Sequence, residues 1–165
     1  MRLYADVGRG RDRTDTLEAW AARAKEGVAD GFEAIKFDND HSADKSQQDV
    51  VNRGLSLGEL DKMTALVAAV RDAVGDGINV CIDCHGIYSV RDVILLAKRL
   101  EPFNLMFLEV PVPPENIDVM AKVTASTSFL ICRGASPRRV SKADSGAGVR
   151  HAPGRCVEHW RNARG

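Results

Sequence analysis

Three short apolar runs end in residues that can do chemistry. EAIKFD closes on Lys36 and Asp38, NVCIDCHG carries Asp83 and His85, and LMFLEV contains Glu109. Side chains alternate across a β-strand, so Lys36 and Asp38 share one face, as do Asp83 and His85, while Cys84 points the other way. Turned toward one cavity, these faces gather Lys36, Asp38, Asp83, His85 and Glu109. Carboxylates beside a lysine and a histidine suit Mg²⁺ and an anionic substrate, because Mg²⁺ takes hard oxygen ligands and keeps positions open for substrate.

The same stretch admits a zinc reading. Cys81-x-x-Cys84 could pair with Cys156-x-x-His159 to supply the four ligands of a structural site. Three positions along a strand put Cys81 and Cys84 on opposite faces, however, and CxxC zinc ligands belong in a turn. The spacing therefore favours Asp83 and His85 as the functional pair. It makes Cys81 a small inward residue and Cys84 a residue facing a helix layer.

These residues need a scaffold, and the order of elements supplies one. RLYADV alternates and reads as a first strand. A helix follows, with Leu17, Trp20, Ala21, Ala24 and Val28 on one face and Asp15 as its expected N-cap. EAIKFD is the second strand. The next helix opens with a capping box, Ser56 to Glu59, repeats Leu60, Met63, Val67, Val70 and Val74, and stops at Gly75. INVCID is the third strand, and a helix on Val93, Leu96, Ala97 and Leu100 follows it, ended by Pro102. LMFLEV is the fourth strand, ENIDVMAKVTAS the fourth helix with Asn116 as a cap, and SFLIC the fifth strand. Strand and helix alternating in this way predict βαβ units and a parallel sheet, an α/β fold. In such folds the chemistry sits at the C-terminal ends of the strands, where all five candidates fall. The long polar loop 38–55 is placed for substrate contacts.

Composition limits the function classes. The 165 residues suffice for one domain, and 44% hydrophobic residues indicate a packed core. No apolar run approaches the ~18 residues of a membrane span, and MRLYADVGRGR has no apolar signal core, so a cytoplasmic chain is expected. Four cysteines in that setting are expected to be thiols. A net charge of zero conceals an asymmetry. Residues 133–165 hold eight basic groups against two acidic ones, leaving 15 basic and 21 acidic before them. Clustered arginines can neutralise phosphates, but Trp160 is the one aromatic there and no nucleic-acid motif accompanies it. A disordered basic tail without a nucleic-acid partner is expected.

GFEAIKFD, INVCIDCHG and LMFLEVPVPPEN together resemble consecutive strands of the enolase superfamily barrel. The likeness is to the mandelate racemase/muconate lactonizing subgroup, and within it to acid-sugar dehydratases of the galactonate type. The resemblance implies a partial TIM-type (β/α) barrel with its first five strands present. It implies Asp83 and Glu109 as metal ligands, Mg²⁺ as the cofactor, His85 as the general acid on the leaving hydroxyl, and Lys36 near the substrate carboxylate. Asp38 stands where racemases of the subgroup carry a second, basic lysine, which argues against racemisation or epimerisation, the alternative activity. The reaction so implied is removal of the α-proton of a sugar acid, stabilisation of the ene-diolate and loss of the β-hydroxyl. Full-length members are expected to be homo-oligomers acting on small molecules, away from membranes.

The departures are equally specific. The family requires a third metal carboxylate at the end of the fifth strand, in a motif like Gly-Glu. The step from Asp83 to Glu109, repeated, lands on Ala135 in CRGAS. The family's base, a histidine backed by an aspartate, and its capping domain have no counterpart here. Residues 1–134 are therefore expected to form the partial barrel. Residues 135–165, rich in Arg, Gly, Ala and Ser, read like coding sequence translated out of frame, and a truncated, inactive product is expected.

Overall fold

The computed structural model describes residues 2–8, 15–39, 53–132 and 160–162. Strands β1 (Arg2–Asp6), β2 (Ala34–Asp38), β3 (Asn79–Asp83), β4 (Phe107–Glu109) and β5 (Leu130–Cys132) alternate with helices α1 (Leu17–Ala29), α2 (Leu57–Val74), α3 (Val90–Leu100) and α4 (Ile117–Ala125). All strand pairs are parallel, as the βαβ order predicts. Outward strand residues Ile35, Phe37, Val80, Ile82 and Leu108 join Trp20, Met63, Val67, Val70, Val93, Leu96 and Leu100 in one core between sheet and helices. Cys84 belongs to that core, whereas Cys81 packs with Phe107 and Cys132 in a separate cluster. The two cysteines of CIDC thus lie on opposite sides of the sheet, which rules out a shared zinc ion.

Local chemistry sets the helix ends. Ser56 and Glu59 form the full capping box on α2, Gly75 ends it at φ 73°, and Asn116 caps α4. At α1 the expected cap is off by one residue. Thr16 accepts from the Ala19 N–H, and the Asp15 carboxylate accepts instead from Trp20 Nε1 at 2.8 Å and from Lys62 Nζ at 3.3 Å. The buried indole N–H needs an acceptor, and Asp15 is more useful to it than to the helix.

Two further expectations change. Trp160–Asn162 form a strand, β6, that pairs in parallel with β1, in register Arg2↔Trp160 to Tyr4↔Asn162. The sheet order is β5-β4-β3-β2-β1-β6, so β1 has neighbours on both sides and β5 and β6 are the edges. The rest of the tail lies outside the described residues, as does most of the loop 38–55. Cys81 and Cys84 are buried free thiols, but Cys132 is disulfide-bonded. Among the described residues no helix is long and apolar enough to cross a membrane.

Candidate functional site

The register of the sheet builds the site. Asp38 pairs with Asp83 and Asp83 with Glu109, so three carboxylates stand in one row across the C-terminal ends of β2, β3 and β4. One step earlier, Asp6, Lys36, Cys81 and Phe107 form a second row on the same face. The row of carboxylates reaches β5 at Cys132, opposite Glu109, and so ends in sulfur rather than in a further acid.

Lys36 rises from the second row into the first. Its Nζ lies 2.7 Å from Asp83 Oδ2 and 2.5 Å from Glu109 Oε2, with all three side chains largely buried. Burial alone would favour the neutral amine. The hydrogen bonds and charges of Asp83 and Glu109 outweigh it, and the Lys36 pKa stands above the ordinary lysine range. The Tyr4 ring covers the ammonium from β1, 5.6 Å from ring centre to Nζ. Burial raises the Tyr4 hydroxyl above its usual pKa, against the pull of Lys36. Beneath this layer, burial pushes the Cys81 thiol up to about 12, which leaves it un-ionised and inert.

The other oxygen of Asp83 faces a different group. Asp83 Oδ1 accepts from the His85 backbone N–H at 3.0 Å and lies 4.0 Å from His85 Nε2, which in turn is 3.7 Å from Asp38 Oδ1. Ligand atoms of Asp38, Asp83 and His85 come within 4.8 Å of one another, a spacing compatible with a metal ion. Asp38, which strand alternation placed on the same face as Lys36, thus lies beside Asp83 and His85. The backbone is strained here. His85 at φ 51° and Val110 at φ 43° both occupy the left-handed region, which a β-branched residue such as Val110 rarely enters. Gly86, at φ 72°, donates to the Val110 carbonyl at 2.6 Å, and a Cβ there would meet Val110 Cγ1 at 3.1 Å. The ends of β3 and β4 are thus locked together beside the carboxylates.

Sequence reasoning missed Tyr4, Asp6 and Asn39. The alternation of RLYADV put Tyr4 and Asp6 on one face, which was a usable signal. Asn39 is wholly buried, its N–H donates to the Asp83 carbonyl, and its carbonyl accepts from Tyr88 Oη at 2.8 Å. Tyr88 is accordingly a packed residue, with the Arg53 guanidinium 5.1 Å from its ring centre.

Comparison with known proteins decides the family. Residues 19–144 match the family described as enolase C-terminal domain-like. The chain belongs to that family. It is 41% identical over 138 residues to a D-xylonate dehydratase of Haloferax volcanii, a match covering 81% of this chain and 32% of the relative. It is 36% identical over 134 residues to a D-gluconate dehydratase of Thermoproteus tenax, covering 81% and 25%. Among solved structures, a mandelate racemase/muconate lactonizing enzyme-like protein from Rubrobacter xylanophilus aligns with a TM-score of 0.70 at 41% identity, over 79% of this chain and 36% of that one. The chain thus spans a third or less of the length of these curated relatives. Its parallel sheet and flanking helices are part of the enolase-type (β/α) barrel, and the strand-end residues above stand where such a barrel carries its chemistry.

Proposed function

We propose that this chain carries the metal- and carboxylate-binding part of a sugar-acid dehydratase site. The observation that carries this reading is the placement of a cation between Asp83 and Glu109, at adjacent strand ends in one register row. The Lys36 ammonium is a stand-in ion. Two buried carboxylates that hold it also present the hard oxygens that Mg²⁺ requires, so the donor set fits that metal. Mg²⁺ bound by Asp83 and Glu109 would supply positive charge to the acid's carboxylate and to the charge that develops as the α-proton leaves. Lys36 binds the carboxylate of the acid. His85, half-exposed, holds a proton at Nε2 near Asp38 and Asp83 and delivers it to the departing hydroxyl. The names of the relatives point to a pentonic or hexonic acid such as D-xylonate or D-gluconate.

The 165-residue chain is proposed to bind without turning over. His85 is the one histidine among the described residues, so no second histidine there serves as the base. General-base catalysis by itself contributes about 10²- to 10⁴-fold. Calorimetry should show D-xylonate or D-gluconate binding that requires Mg²⁺, with no keto acid formed on incubation. Binding that is indifferent to Mg²⁺ would overturn the proposed site. Keto-acid formation that disappears in Asp83→Asn would overturn the inactivity and keep the site.

A further inference from the structure

We infer that Lys36 is an internal competitor for the metal seat, so that metal entry requires the ammonium to leave Asp83 and Glu109. This rests on the reading of those two carboxylates as the metal ligands, and it adds a residue that sets how tightly the ion is held.

The geometry forces the competition. The ammonium contacts one oxygen of each carboxylate, at 2.7 and 2.5 Å. An Mg²⁺ ion bonded to the same Glu109 oxygen at the usual ~2.1 Å could stand no further than about 4.6 Å from Nζ. In a buried, low-dielectric site two cations that close repel strongly, and both would draw on the same two lone-pair sets. Neither carboxylate can turn away from the lysine at no cost. Asp83 is fixed through Oδ1 by the His85 N–H. The Cys84 N–H donates to the Glu109 carbonyl, and Gly86 locks to Val110, which holds the end of β4 against β3. The flexible partner is the lysine, whose ammonium sits at the end of a four-carbon stem with several rotatable bonds. The ammonium also has a reason to remain until displaced. It neutralises one of two buried negative charges that would otherwise face each other across the gap.

The consequence is measurable without turnover. Lys36→Met deletes the competitor and leaves the carboxylates uncompensated, so Mn²⁺ should bind about ten- to a hundredfold more tightly than to the unmodified chain in calorimetric titration. Lys36→Arg keeps the charge and should show no gain. As a control on the site itself, Asp83→Asn should bind weakly whichever residue stands at 36. In the unmodified chain, ¹⁵N NMR of lysine side chains supplies a readout independent of any variant's folding. A hydrogen-bonded Lys36 Nζ signal should be present without metal and should shift on saturation with Mg²⁺. Unmodified chain that binds Mn²⁺, with Lys36→Met binding equally or more weakly, would overturn the inference while sparing the metal site. An Nζ signal unmoved by saturating Mg²⁺ would do the same. Failure of both the unmodified chain and Lys36→Met to bind Mn²⁺ would overturn both.

Discussion

Arg71→Ala is expected to cost about 3–5 kcal/mol of folding stability, a large part of the ~5–15 kcal/mol that holds a typical domain together. Arg71 sits buried on the last turn of α2, and its guanidinium donates to four backbone carbonyls. Nε reaches Phe103 O at 3.0 Å, Nη1 reaches Gly75 O at 2.9 Å and Ile78 O at 2.6 Å, and Nη2 reaches Asn104 O at 3.1 Å. Burial lowers its pKa from the usual arginine value, with Asp76 opposing, yet the group remains charged throughout the accessible pH range. Alanine would leave several of these carbonyls without donors, each a loss of ~1–3 kcal/mol where water cannot reach. Residues 75–78 lead into β3 and residues 103–104 into β4, so one side chain ties the entries of the two strands that carry Asp83 and Glu109. Urea unfolding followed by Trp20 fluorescence measures the loss. Lys at this position has no planar fork and should recover only part of it. A loss under about 1 kcal/mol for Arg71→Ala would mean that water replaces these bonds and that Arg71 is no staple.

Asp83→Asn is expected to lower divalent-cation affinity by at least about a hundredfold while leaving the fold intact. The amide keeps Oδ1, which accepts from the His85 N–H, so the strand end has no reason to move. It loses the charge that both Lys36 and a metal require. Among the described residues Asp83 and Glu109 are the carboxylates that flank the ammonium, and Mg²⁺ surrenders its hydration shell reluctantly, so removing one of these charged ligands removes most of the attraction. Glu109→Gln should act in the same direction, because its Oε2 is the second half of the seat. Mn²⁺ titration with a parallel thermal melt separates loss of ligand from loss of fold. An unchanged Mn²⁺ affinity in a folded Asp83→Asn chain would place any bound ion away from this aspartate.

Much of this was legible in the sequence, for identifiable reasons. Period-two alternation in EAIKFD and INVCID fixed which side chains face the cavity, since a strand has only two faces. The capping box at Ser56 and Glu59 and the stop at Gly75 are local, so the letters alone determine them. What escaped was decided by groups distant in the chain. Alternation places Lys36 on a face but cannot say that its ammonium reaches across β3 to Glu109 on β4. Arg71 lies within a regular helical pattern, and its carbonyl partners leave no mark on the sequence. Asp15 and Thr16 were equally good caps until the indole of Trp20 claimed one of them. The pairing of Trp160–Asn162 with β1 uses backbone groups, which every residue offers, so no side-chain pattern announces it. The positive φ of Val110 runs against the preference of valine and is imposed by the packing at the strand ends.

Asp83 and Glu109 together are proposed to seat a divalent cation. Anomalous scattering from crystals of the chain grown with Mn²⁺ locates such an ion directly. The expected result is a peak bonded to both carboxylates, with the Lys36 ammonium moved off them. Mn²⁺ bound at Asp38 and His85 alone, with Lys36 still bridging Asp83 and Glu109, would contradict it.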